Sequence, residues 1–295
     1  MSPFIDARVR HNRYRRQRYS DGLRQDGGVL ASLSPARRRF VLTLLVGVLA
    51  VAVAAAGVLV IRRTGSGGVH PVRQDLAGPV LLVPGYGGSL QAVRILAETL
   101  RHNGRDATVV ELAGDGRGDL RTQAKVLAAA AERSMSRSGA ESVDVVGYSA
   151  GGVVARLWVR EYGGASVARR VLTLGSPHHG TTVADLAVET VGCPTACRQL
   201  APDSDLLRRL NAGDETPLGP RFISIWSTAD DVVTPPDSAR LDGALNLTVQ
   251  GLCPAAQPSH ASLPTHPVVL TLVVAELGTA PPAVPADLDC DSASS

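Results

Sequence analysis

The stretch Val143-Asp144-Val145-Val146-Gly147-Tyr148-Ser149-Ala150-Gly151-Gly152 constrains the fold more than any other. Its first four residues, three of them Val, read as a buried strand. Val153, Val154, Leu157 and Trp158 then recur at helical spacing, and Gly163-Gly164 stops that run. A strand leading through a tight turn into a helix is the setting in which Gly-x-Ser-x-Gly lifts a serine hydroxyl above a sheet. Gly147 and Gly151 leave room for the turn because neither carries a Cβ. An ordinary serine in a glycine-rich turn would show the same pattern, so the rest of the chain has to decide.

Further segments repeat the alternation. Pro79 to Val83, Ala107 to Glu111, Arg170 to Leu174, Phe222 to Trp226 and Leu245 to Val249 read as strands. Leu90, Val93, Leu96, Ala97 and Leu100 mark a helix that ends at Asn103-Gly104. Asp119 caps another through Leu120, Ala124, Leu127, Ala128 and Ala131, and Pro267 to Leu277 is the last. Strands alternating with helices imply right-handed crossovers and a mostly parallel sheet of about six strands. Only 3% of residues are aromatic against 44% apolar, so small aliphatic side chains must fill the core.

Ligands of such sheets bind beyond the carboxyl ends of the strands, where Ser149 and the loop Pro84-Gly85-Tyr86-Gly87-Gly88-Ser89 both fall. A serine needs a base to take its proton and a carboxylate to orient that base. In chain order the acid comes next and the histidine last. Ser227-Thr228-Ala229-Asp230-Asp231 follows the fifth strand, and Pro258-Ser259-His260 follows the sixth. Both loops meet the rim that carries Ser149. Asp230 and Asp231 compete for the orienting role, and only one should reach the histidine. His266, beside Pro267, reads as a capping or surface residue, which leaves His260 as the base. His178 and His179 precede both aspartates and read as loop structure or cleft wall. The backbone N–H groups of Ala150 and Tyr86 are the expected donors to an oxyanion. Gly85-x-Gly87-Gly88 is no phosphate-binding fingerprint, so no nucleotide is expected.

These motifs resemble the α/β-hydrolases, and more narrowly the small bacterial lipases and esterases of the lipase class 2 type. The resemblance rests on Val83-Pro84-Gly85-Tyr86-Gly87-Gly88, on Gly147-Tyr148-Ser149-Ala150-Gly151-Gly152 and on Thr173-Leu174-Gly175-Ser176-Pro177-His178-His179-Gly180-Thr181. Ala229-Asp230-Asp231-Val232-Val233, Arg240-Leu241-Asp242-Gly243-Ala244 and His260-x-x-Leu263 complete it. It covers about Pro79 to Leu277. It implies a carboxylic ester hydrolase working through an acyl-enzyme, with Ser149, Asp230 and His260 as the triad and a lipid or small ester as substrate. The family's acid precedes an x-Val/Ile-Val pattern, which favours Asp230 over Asp231. Acyl transfer on the same fold, or a non-catalytic surface binding protein, are the alternatives. Pro84 departs from the family's usual His before the glycine, a change that leaves backbone donors intact. Val183 to Gly219 is longer than a minimal lipase needs and is a candidate cap over the site.

The basic pI belongs to the first segment alone. Residues 1–39 carry ten Arg and three Asp, a net of +7, whereas residues 64–295 carry 18 basic and 24 acidic groups, a net of −6. The first segment reads as a disordered tail. Val41 to Ile61 follows, 21 residues without a charge. At about 1.5 Å per residue such a helix crosses a hydrocarbon core of about 30 Å. It exceeds a usual signal-peptide core. Cleavage near Val53-Ala54-Ala55-Ala56 would leave an apolar stub, so an uncleaved anchor is expected, with secretion after cleavage as the alternative. Arg37-Arg38-Arg39 and seven Arg upstream outweigh Arg62-Arg63, which places the N-terminus in the cytoplasm and the bulk of the chain outside. The expected layout is a tail over 1–39, a transmembrane helix over 40–61, a linker over 62–78, a hydrolase domain over 79–280 and a flexible end over 281–295.

On the outer side disulfides persist. Cys193–Cys197 and Cys253–Cys290 are the preferred pairing among three. A monomer is expected, with no nucleic acid, no cofactor and no metal, since Cys193-x₃-Cys197 has no second ligand pair of matching spacing.

Overall fold

The computed structural model describes residues 34–64, 69–88, 90–190 and 193–290. The chain divides into two units, Met1–Gly67 and Gly68–Ser295. In the first, Pro35–Thr64 form a 30-residue helix, α1. Its side chains at 38, 42 and 54–64 lie outside the described residues, as do residues 1–33. Among the described residues no helix is long and apolar enough to cross a membrane. The membrane-spanning helix expected over residues 40–61 is therefore not supported by the structure.

The second unit is built on one six-stranded parallel sheet in the order β2-β1-β3-β4-β5-β6. Its strands are β1 (Val80–Val83), β2 (Ala107–Val109), β3 (Val143–Tyr148), β4 (Ala168–Leu174), β5 (Arg221–Trp226) and β6 (Leu245–Thr248). All six match strands expected from the sequence. Boundaries move by two residues at most: β1, β2 and β6 are shorter than the expected runs, whereas β3, β4 and β5 extend beyond them because the ladder continues past the apolar run. Tyr148 still pairs with Leu174, for example.

Period two sorts the side chains. Leu81, Val83, Val143, Val145 and Val171 face one layer, with α3 (Leu120–Ser138) and α4 (Ala150–Glu161) packed on it. Val80, Leu82, Val146, Leu172, Ile223 and Ile225 face the other, with α2 (Gln91–His102) and α9 (Pro267–Glu276). Covered on both faces, the central strands can be continuous aliphatic runs. Asp119 caps α3 as expected, its Oδ1 accepting from Arg121 N at 3.2 Å. Three short helices, α5 (Thr182–Thr190), α6 (Thr195–Gln199) and α7 (Asp205–Leu210), fill the long segment between β4 and β5, and α8 (Val249–Leu252) follows β6. Cys193 is bonded to Cys197 and Cys253 to Cys290, the preferred pairing. The second bond ties the C-terminal segment to the chain just after α8.

The amino end of the sheet is closed by charge. Asp144, fully buried, accepts from Arg169 through both carboxylate oxygens, at 2.9 and 2.5 Å, and from Arg105 at 2.6 Å. Arg169 also donates to the carbonyls of Gln74, Leu277 and Gly278, and Arg105 to those of Gly78 and Leu277. One carboxylate thus organises two guanidiniums that bind the entry to β1 and the exit from α9. Removing one partner of such a pair leaves an uncompensated buried charge. Asp144→Ala is expected to cost about 3–5 kcal/mol in urea-induced unfolding.

Candidate active site

The sheet order reverses between β1 and β3, since β2 lies on one side of β1 and β3 on the other. Crossovers then leave in opposite directions and open a crevice at the carboxyl ends of these two strands. Ser149 stands there, at the junction of β3 and α4, with φ 53° and ψ −125°. Among the described residues it is the one non-glycine with positive φ. The junction is packed too closely for side chains. A methyl group at Gly147 would come within 2.5 Å of Gly152 Cα, and one at Gly151 within 2.2 Å of the Val83 carbonyl oxygen. The turn is fixed from the sheet side by Ser149 N–H, which donates to Leu174 O at 2.8 Å.

The structure brings Ser149, Asp230 and His260 together. His260 Nδ1 donates to Asp230 Oδ2 at 2.8 Å, and the Ser149 hydroxyl lies 3.0 Å from His260 Nε2, placed to donate to it. The three residues are 6–9% exposed. The other oxygen of Asp230 accepts from Val232 N and Val233 N at 3.0 and 2.8 Å, which fixes the carboxylate's direction.

Asp231 has its own task. Its Oδ1 accepts from the backbone N–H of His260 at 3.2 Å. The neighbouring aspartates therefore hold one histidine by ring and by backbone. Tyr148, which sequence reading passed over, holds it a third way. Its hydroxyl donates to His260 O at 3.0 Å, and the two rings stack with centroids 5.2 Å apart. Burial, with the carboxylates of Asp230 and Asp231 nearby, pushes the Tyr148 phenol up and keeps it a donor. Strand alternation was the available signal, since Tyr148 falls on the face shared with Val146.

Ala150 is the first residue of α4, so its N–H has no acceptor within the helix. The loop after β1 lies beside it: a methyl at Gly85 would come within 3.0 Å of Ser149 Cβ. Tyr86 begins the one-turn 3₁₀ segment Tyr86–Gly88 that follows. Ala150 thus follows Ser149 directly, and the turn that begins at Tyr86 follows the glycine packed against Ser149.

The other histidines fall outside this set. His178 is fully buried, its Nε2 3.1 Å from Thr173 Oγ1 and its Nδ1 without a partner. His179 is paired with Glu215 at 2.9 Å. His266 occupies the position before α9, but its side chain caps nothing. The long segment is attached to the acid loop, through Thr181 Oγ1 to Val232 O at 2.6 Å and Thr182 N to Thr234 O at 2.9 Å. A cavity of about 920 Å³ lies elsewhere, against the first residues of β5 and β6, lined by Leu218, Phe222, Leu245 and Pro281 among others. None of Ser149, Asp230 and His260 lines it.

Comparison with known proteins agrees with this geometry. Residues 78–190 match the family model described as alpha/beta hydrolase fold. Similar solved structures include lipase B of Aspergillus fumigatus, at 22% identity and a TM-score of 0.65, over 74% of this chain and 56% of that one. The mature form of the Bacillus licheniformis lipase BlEst2 matches at 22% identity and a TM-score of 0.57, over 71% of this chain and 94% of that one. The chain thus spans little more than half the length of the fungal lipase. No curated protein matches it. The chain is an α/β-hydrolase-fold protein, similar in structure to bacterial and fungal lipases.

Burial, with Arg156 and His179 adding smaller contributions, holds the His178 imidazole well below its ordinary pKa of 6.5. A group kept neutral in the fold binds fewer protons there than in the unfolded chain. Its contribution is therefore full above about pH 6.5 and lost as pH falls toward the folded-state value. Thermal unfolding of wild type should show a steeper loss of Tm between pH 7 and pH 5 than that of His178→Gln.

Proposed function

We propose that this chain is an extracytoplasmic serine hydrolase that cleaves carboxylic esters of lipids or small alcohols, acting as a monomer. The observation that carries the reading is the continuous relay from Asp230 through His260 to a serine held at positive φ. His260 Nε2 takes the proton as Ser149 Oγ attacks the ester carbonyl carbon. Asp230 holds the correct tautomer and stabilises the imidazolium that forms. The negative oxygen of the tetrahedral intermediate lies toward the N–H groups of Ala150 and Tyr86. As it collapses, the imidazolium gives its proton to the departing alcohol and an acyl-Ser149 remains. Water then repeats the sequence with His260 as base, releasing the carboxylic acid and restoring the serine.

The proposal extends to location. The uncharged run from Val41 to Ile61, with ten Arg before it and two after, supports an uncleaved signal anchor with the N-terminus in the cytoplasm. The two disulfides support an oxidising outer compartment for the second unit.

Membranes carrying the full chain should hydrolyse nitrophenyl esters. Ser149→Ala and His260→Ala should each lower kcat at least about a hundredfold, with the double variant little worse, because such residues act as a unit. Turnover that survives Ser149→Ala would sink the triad reading. Protease added outside intact cells should digest residues 69–295 and spare an N-terminal tag. A spared domain would reverse the topology.

A further inference from the structure

The loop that would supply the Tyr86 donor has little to hold it. Tyr86–Gly88 is a single turn with Gly87 at φ 74° and Gly88 at φ 64°. Its one described backbone bond, Gly88 N to Gly85 O at 3.1 Å, is internal. An oxyanion donor acts only if its direction is set before the reaction. Something outside the turn must set it.

The loop between β2 and α3 lies against it. A methyl at Gly116 would come within 3.0 Å of Gly88 N, so the two backbones touch there. The next residue, Arg117, places its guanidinium over the Tyr86 ring, 5.7 Å from the centroid. Arg117 is half exposed, and its ion pair with Asp115 is long, at 4.0 Å. Its position comes from the backbone instead. Arg117 N donates to Asp115 Oδ1 at 3.0 Å, and Arg117 O accepts from Ala196 N at 3.1 Å. Ala196 lies inside the loop closed by the Cys193–Cys197 bond. The loop between β2 and α3 is pinned behind by buried Gln123, whose amide accepts from Ala113 N at 2.8 Å and donates to Ala113 O at 3.1 Å.

We propose that Arg117 is a positioning residue for the candidate active site. Its guanidinium presses the Tyr86 ring, and so the Tyr86 N–H, into place, and the Cys193–Cys197 loop holds Arg117 there. The inference rests on the reading of Tyr86 as an oxyanion donor. A planar cation on an aromatic face is attracted by the ring quadrupole, and a lysine at the same place keeps the charge but loses the stacking plane.

The experiment reads the rate at which a neutral alkyl fluorophosphonate labels Ser149 in the full chain. This reaction also develops negative charge on oxygen beside the serine, and it needs no knowledge of the natural substrate. Arg117→Ala should slow labelling about fivefold, the upper scale of an exposed cation–ring contact. Arg117→Lys should restore part of that. Cys193→Ser with Cys197→Ser should also slow labelling, and adding Arg117→Ala to that pair should cost little more, because the two act through one contact. Melting temperatures should stay within a few degrees of wild type. Ester hydrolysis supplies the second readout: kcat falls with KM little changed, equally for 4-nitrophenyl butyrate and for mono-4-nitrophenyl succinate.

Labelling by Arg117→Ala at the wild-type rate overturns the inference and leaves the triad standing. A loss confined to the succinate ester also overturns it, since Arg117 would then touch an anionic substrate instead of setting the loop. A wild-type chain that is not labelled at Ser149 removes the hydrolase reading and this inference with it.

Discussion

A serine backbone at φ 53° is the constraint from which the rest of the site follows. Such a conformation costs about 1–3 kcal/mol and persists only where its surroundings dictate it. Here the surroundings are a strand buried on both faces and a helix that starts one residue later. Ser149 N–H is locked to Leu174 O, and glycines at 147 and 151 let α4 approach β1 and β3 closely. The strain is the means by which the hydroxyl leaves the plane of the sheet. A relaxed serine would continue β3 or join α4, and its oxygen would miss His260.

His260 shows what support a loop histidine requires. It lies in a loop, and loops alone do not fix a ring to within a few tenths of an ångström. Three groups from two separate places converge on it: from the loop after β5, the Asp230 carboxylate on the ring and the Asp231 carboxylate on the backbone N–H, and from the end of β3, the Tyr148 hydroxyl on the carbonyl. Tyr148 precedes the nucleophile directly. The histidine is therefore referenced to the same strand end that positions the serine, and a shift of β3 would carry both side chains together.

The legible parts of the molecule were those governed by local periodicity and by residues with one strong preference. Val143 to Val146 read as buried strand, Asp119 as a cap, and Gly-x-Ser-x-Gly between a strand and a helix as the turn that carries the candidate serine. Chain order and strand ends pointed the Asp230-Asp231 loop and His260 to the same rim, and only the resemblance favoured Asp230 over its neighbour. The uses of Tyr148, Asp231 and Asp144 were not legible. Each depends on a partner between 25 and 112 residues away in sequence, and no local pattern announces such a meeting. The Asp230-Asp231 pair is the instructive case, since sequence treated the two as rivals and the fold uses both on His260. The expected membrane helix differs in kind. It rests on composition and charge alone.

The two ends of the sheet are treated oppositely, and that difference explains where strain can be stored. At the amino ends, buried Asp144 gathers Arg105 and Arg169, whose remaining donors bind carbonyls from the entry to β1 and from the end of α9. Charge there is saturated with partners and free to do nothing but hold. At the carboxyl ends, charge is sparse and aimed. One carboxylate faces one imidazole, and the serine oxygen is the last group in the line. A rigid, charge-locked base fixes the strand register, so the opposite ends can carry a positive-φ serine and loops of one turn without the sheet yielding. The Cys253–Cys290 bond belongs to the same logic. The chain leaves α9 at the locked end, and that bond returns it to the segment leading into His260. The loop that carries His260 is thereby tied to the chain that leaves the charge-locked end.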